Sequence, residues 1–154
     1  MDDRLFEQVD SELVRRVDRA FDNELMCSQV TFLHGARKLG FDEETALLAA
    51  SGFGWGMQNG ERCGAVTGSL MALGLRFGYR NLEEFPNYKV LKEKQKEFDR
   101  RFKEKVGSLY CKEILRANYG VAKERELIYK EERYSICALI TAYAVTILDE
   151  LLEE

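Results

Sequence analysis

The chain has 154 residues, enough for one domain with its own core, and its 45% hydrophobic content is that of a folded rather than a disordered protein. With 23 basic and 27 acidic residues its formal charge is −4, which argues against a dedicated nucleic-acid binder. Pro86 is the single proline, so little in the sequence interrupts helices.

In chain order, Leu5, Val9, Leu13 and Val17 recur at helical spacing between charged residues, which predicts an amphipathic first helix. A second helix is expected from about Glu24 to Leu39. Arg37 and Lys38 suit its negative end, and Gly40 suits the left-handed cap beyond. Asp42 then caps a third helix to Ala50, and capping accounts for Asp42, Glu43 and Glu44 better than a carboxylate site does. Between Ser51 and Gly60, Gly52, Gly54, Gly56 and Gly60 make a continuous helix costly, and Asn59-Gly60 signals a turn. This loop lacks the Gly-Lys-Ser/Thr ending of a phosphate-binding loop.

A fourth helix starts near Glu61 or Cys63 and reaches Phe77, with Gly64, Gly68 and Ala72 forming a smooth stripe for close backbone approach. Pro86 to Lys105 is rich in lysine and glutamate but keeps Leu91, Phe98, Phe102 and Val106 in helical phase, so its mixed charges read as a solvated face. Gly107-Ser108 breaks the chain before a helix over Leu109–Ala117, and Asn118-Tyr119-Gly120 forms a turn. A long last helix is expected from about Lys123 to Leu152, with Ile136, Ile140, Tyr143, Ile147 and Leu151 as its apolar stripe. No segment has a strand period. The expectation is an all-α, single-domain bundle over residues 1–154, with about five to seven helices and a glycine-rich loop before the central one.

The Met-Asp-Asp-Arg start lacks the basic and apolar regions of a signal peptide. The apolar stretch from Ala138 to Leu148 is broken by threonine and tyrosine and falls short of a membrane span. A soluble, cytoplasmic protein without membrane insertion is therefore expected. In that compartment thiols stay mostly reduced, so structural disulfides do not explain the four cysteines, Cys27, Cys63, Cys111 and Cys137.

The cysteines lie far apart in sequence and form no Cys-x-x-Cys pair, unlike a zinc ribbon or a ferredoxin-type run. Each falls on a different expected helix, and a bundle can bring such positions together. On spacing alone, separately buried thiols are the more economical reading. Cys63 is the most informative. It follows the glycine loop at or near a helix start, where the helix dipole, with Arg62 adjacent, would favour a thiolate. Cys27 and Cys111 also fall near expected helix starts, whereas Cys137 is in phase with Ile140 and should point inward.

His34, the single histidine, lies two turns after Cys27; a surface or partly buried role suits it better than a metal-ligand role. One histidine also excludes a di-iron site of the paired Glu-x-x-His type. The glycines of the loop, with Gly60 and Gly64 foremost, would let backbone pass close to a cofactor or a neighbouring helix. Phe53 and Trp55 either shield such a site or anchor the loop.

Gly60-Glu61-Arg62-Cys63-Gly64-Ala65-Val66-Thr67-Gly68, followed by Ser69 to Leu75, carries a resemblance. With Met26-Cys27-Ser28-Gln29, the loop from Ala50 to Met57 and the single cysteines Cys111 and Cys137, it resembles the C_GCAxxG_C_C family, a group described as redox-active and named for its four cysteines. The family label writes glycine before the central cysteine, where this chain reads Cys-Gly-Ala-x-x-Gly. The likeness runs from about Cys27 past Cys137, and Asn81–Val106 matches only in being helical and charged.

The resemblance implies a redox or metal role for all four cysteines and reverses the preference drawn from spacing. They would be ligands of an iron–sulfur cluster or zinc, or redox thiols with Cys63 attacking and another resolving, in an oxidoreductase or electron carrier with an unidentified redox partner. Without Cys-x-x-Cys-His, covalent haem is not expected. The competing reading is a non-enzymatic helical interaction module with packed cysteines. Pairing of the terminal helices into a homodimer is compatible with every reading.

Overall fold

The computed structural model describes residues 1–154, with every side chain except that of Phe6. Among the described residues there are nine α-helices and no strand. They are α1 (Leu5–Gln8), α2 (Ser11–Asp22), α3 (Cys27–Leu39), α4 (Glu43–Ala50), α5 (Gly64–Phe77), α6 (Tyr88–Val106), α7 (Cys111–Leu115), α8 (Ala122–Lys130) and α9 (Cys137–Glu153). The all-α class agrees with the sequence, but the helices outnumber the five to seven expected.

Two breaks account for most of the excess. The first amphipathic stretch is interrupted at Val9, which is extended, and Asp10, whose side chain accepts from the Glu12 N–H at 3.0 Å. A carboxylate satisfies an unpaired N–H at a helix start, so the capped break competes well with an unbroken helix. The expected Lys123–Leu152 helix is likewise two. Glu132 turns left-handed at φ 51°, and a tight turn over Arg133–Ile136 leads into α9. No glycine or proline marks this second break, and Cys137 becomes the first residue of α9 instead of lying within a long helix.

α9 is the centre of the molecule. Ile140, Ala144, Ile147, Leu148 and Leu151 are buried, and α2, α3, α5 and α6 pack around them. Each such leucine or isoleucine contributes about 1.5–3 kcal/mol by leaving water. The turn and helix together, Arg133–Glu153, are long and apolar enough to cross a membrane, a longer run than the sequence suggested; here most of that segment is buried against other helices. Phe98 and Phe102 of α6 are fully buried on this core, as their helical spacing predicts.

α3 and α5 pack closely along the small-residue stripe. A methyl group at Gly68 would overlap Thr31 Oγ1 and the Ser28 carbonyl oxygen, and one at Gly35 would overlap Ala72. The two backbones therefore meet with almost no side chain between them. Ser28 donates to the Ala50 carbonyl at 2.8 Å, and Gln29 donates to the Leu47 carbonyl at 3.0 Å, which ties α3 to α4. A second, smaller core gathers Cys111 and Leu115 of α7, Ala117 just beyond it and Ile128 of α8, with Trp55, Tyr119 and Cys137 packed on it.

Candidate functional site

All four cysteines line one cavity of about 440 Å³ between the main core and the smaller one. Each stands at a helix beginning. Cys27, Cys111 and Cys137 open α3, α7 and α9, and Cys63 immediately precedes α5. Their placement is local in origin. Gln29 accepts from the Met26 N–H at 2.9 Å, which fixes the start of α3 and accounts for the Cys-x-Gln pattern. Segments 61–63 and 109–111 run side by side: Cys63 N–H donates to the Leu109 carbonyl and Cys111 N–H to that of Glu61, both at 2.8 Å. That pairing carries Cys63 and Cys111 to the same rim.

The glycine loop does not form an ordinary helix. Trp55, Gly56, Met57 and Gln58 have φ of 56°, 62°, 55° and 60°, a left-handed turn closed by Glu61 N–H on the Gly56 carbonyl at 3.0 Å. For a residue with a Cβ this conformation costs about 1–2 kcal/mol. The turn is held by what surrounds it. Gly56 lies against Glu61 and the Cys111 Cβ, and the Trp55 ring stacks on Tyr119 with centroids 4.4 Å apart. Trp55 thus both lines the cavity and anchors the loop.

The glycines singled out in the sequence divide. Gly64 faces the cavity, where an added Cβ would overlap Cys27 Sγ and come within 2.9 Å of the Phe53 carbonyl. Gly60, at φ 67°, instead lets the loop meet Lys112 and Asn118, and it does not line the cavity. His34 is also remote from the thiols, with its Nε2 2.7 Å from Asp149 Oδ1. The Asp42 side chain accepts from Thr45 N–H at 2.8 Å, the capping role expected of it.

The thiols differ in acidity. Cys27 is the acidic one. The Cys63 thiol hydrogen-bonds to it, and the backbone N–H groups of Trp55, Ser28 and Ala65 add to that, so its pKa lies below the ordinary 9.0 despite burial. Cys63 is pushed well above that value by the adjoining Cys27 and by burial. The N–H groups at the start of α5 serve Cys27, which sits over Gly64, rather than Cys63 itself. Arg62 does not offset this, since it is turned to Asp99 at 3.2 Å. Burial raises Cys111 to about 12, with a further contribution from the charge on Cys27, and raises Cys137 for the same reasons.

The cysteines are free thiols. Among the described residues no three His, Cys, Asp or Glu side chains lie close enough to hold a metal ion. Sharing a cavity is thus not the same as forming a single-ion site. Cys27 and Cys63 adjoin and pack on the main core, and Cys111 and Cys137 pack on the smaller one.

Sequence reasoning missed the aromatic wall of this cavity, in which Tyr119, Trp55, Tyr129 and Tyr134 form a chain, in that order, with centroid spacings of 4.4, 6.1 and 5.9 Å. The tyrosines come from the 118–120 turn, α8 and the tight turn before α9, and the unanticipated break at Glu132 lies between Tyr129 and Tyr134.

No curated protein and no solved structure matches the chain. A family model does, over residues 25–151, from the residues just before Cys27 nearly to the end of α9 and taking in all four thiols. The family is described as "Putative redox-active protein (C_GCAxxG_C_C)", and the chain belongs to it.

Proposed function

We propose that the protein is a thiol–disulfide oxidoreductase or carrier in which Cys27 is the attacking thiolate and Cys63 the resolving thiol. The observation that carries this reading is that the two thiols adjoin: Cys27 Sγ lies over Gly64, the residue after Cys63, and the neighbouring Cys63 thiol and nearby backbone N–H groups lower the Cys27 pKa. A thiolate is the attacking form, and an adjoining thiol is what resolution needs.

Cys27 Sγ attacks one sulfur of a disulfide substrate R–S–S–R, forming Cys27–S–S–R and expelling one RS⁻, which takes up a proton. Cys63 then loses its proton and attacks Cys27 Sγ, breaking the mixed disulfide and releasing the second RS⁻. In sum, two protein thiols and R–S–S–R give the Cys27–Cys63 disulfide and two R–SH. The reverse sequence reduces the protein at the expense of a dithiol donor.

A disulfide titration of the reduced protein with peptide mapping tests this. The expected product is the Cys27–Cys63 disulfide, lost in Cys27→Ser. An oxidised protein in which these two cysteines never join would overturn the reading.

A second reading has one observation in its favour. Four thiols around one cavity match the donor number of an iron–sulfur cluster, and the cavity is larger than one ion needs. Cys27, Cys63, Cys111 and Cys137 would hold the cluster, and it would supply one-electron transfer. Cys111 and Cys137 would have to give up protons that burial now holds on them. Anaerobic reconstitution with iron and sulfide separates the readings. A visible charge-transfer band that disappears in both Cys111→Ser and Cys137→Ser supports the cluster; colourless protein with a titratable Cys27–Cys63 couple supports the thiol pair.

A further inference from the structure

The cavity that holds the thiols has a one-sided charge. Asp18 and Asp22 of α2 and Glu24 just beyond it line it, and among the described residues no lysine, arginine or histidine does. The three carboxylates are exposed. Of the α2 arginines, Arg15 and Arg19 pair with Glu12 at 2.9 and 3.4 Å, and Arg16 lines a separate pocket. Trp55, Tyr119, Tyr129 and Tyr134 line the same cavity, and their π faces also attract a cation; Arg125 already lies over Tyr119 at 5.3 Å, which leaves Trp55, Tyr129 and Tyr134 to receive one.

We infer that the cavity selects small cationic disulfides, with Asp18, Asp22 and Glu24 as its charge-selecting residues and the aromatic wall as the surface that receives the cation. This rests on the thiol–disulfide reading above and adds the substrate class to it. The carboxylates set the sign of the field at the mouth of a cavity whose walls are protein rather than water, so they raise the local concentration of a cation and lower that of an anion. A volume of about 440 Å³ suits a small molecule, within the range of ligand-binding clefts. The chemical step is the one written above, with R–S carrying an ammonium group.

The test uses the full reduced chain and three disulfides of matched length: cystamine (a dication), bis(2-hydroxyethyl) disulfide (neutral) and dithiodiglycolate (a dianion). The rate of Cys27–Cys63 disulfide formation is measured for each and divided by the rate of free cysteine with the same reagent. Cystamine is expected to lead dithiodiglycolate by about tenfold or more at low salt, and the gap should shrink in 0.5 M salt as screening shortens the reach of the rim charges. In the triple variant Asp18→Asn, Asp22→Asn, Glu24→Gln, with its Tm checked, the ordering should collapse. Equal normalised rates in the native protein, or an ordering that survives the triple substitution, would overturn the inference.

If no reagent forms the Cys27–Cys63 disulfide, the oxidoreductase reading fails, and the inference is then tested by fluorescence. Trp55 is the only tryptophan. Benzyltrimethylammonium, which carries no sulfur, should quench it saturably, and benzenesulfonate should not. Equal quenching by both, or by neither, would overturn the charge selection independently of any redox chemistry.

Discussion

The two sides of the cavity hold the same residue type in opposite states. On one side Cys27 and Cys63 sit on the α3–α5 seam of the main core, where backbone N–H groups point at sulfur and one thiol is acidic. On the other, Cys111 and Cys137 pack on the smaller core of α7 and α8, where burial without such donors keeps both protonated. All four open or precede a helix, so position at a helix start is not what separates them. What separates them is which sulfur the free N–H groups reach. Cys27 receives those of another helix start and of the left-handed turn as well as its own.

The severest way to break the contrast is Gly68→Val. The new side chain would overlap Ser28 and Thr31 on a seam with no slack, and a loss of about 3 kcal/mol or more is expected by chemical denaturation. On the other side, Ile128→Ala empties the middle of the smaller core, and about 2–4 kcal/mol should be lost. Hydrogen exchange should localise that loss to α7 and α8 while the acidity of Cys27 persists. If Cys27 loses its acidity as well, the two sides are not independent.

The pH dependence sharpens the contrast next. Cys111 has a folded pKa raised from 9.0 to about 12, so its contribution to stability is fully present below 9 and is lost as pH rises toward 12. Denaturation midpoints should therefore fall over that range, and Cys111→Ala should flatten the fall. Cys27 has the opposite sign: its folded pKa is depressed, so its contribution is present above the ordinary thiol pKa and is lost as pH falls through the lowered one. Iodoacetamide should accordingly modify Cys27 first, with a midpoint below 9.0, and should reach Cys111 and Cys137 only after unfolding. Smallest of all, Glu43→Gln removes the exposed pair with Arg37 at 2.7 Å and should change stability by no more than about 0.5 kcal/mol.

Much of this was legible in the sequence because it rests on local rules. Asp42, Gly40, Gly107 and the stripes of α6 and α9 are read from capping chemistry and a 3.6-residue period, and the structure follows them. The Gly64–Gly68–Ala72 stripe announced a close neighbour, and α3 is that neighbour. The breaks at Val9 and Glu132 were not legible, because apolar periodicity continues across both and only tertiary packing decides against a continuous helix. The placement of Cys27 over the start of α5 was hidden for a related reason. A helix start shows which residue begins it, but not which sulfur from another helix lies over its N–H groups. The aromatic wall spans the second break and was out of reach for the same cause.

The α3–α5 seam also acts as a ruler. Most inter-residue distances in a helical protein depend on side chains that can repack, but here Ser28, Thr31 and Gly35 meet Gly68 and Ala72 almost backbone to backbone. The separation of Cys27 from the start of α5 is thereby set by main-chain contact, which has no rotamers to change. Substitutions elsewhere in the core can alter how stable the protein is while leaving the spacing of its thiol pair where the seam puts it.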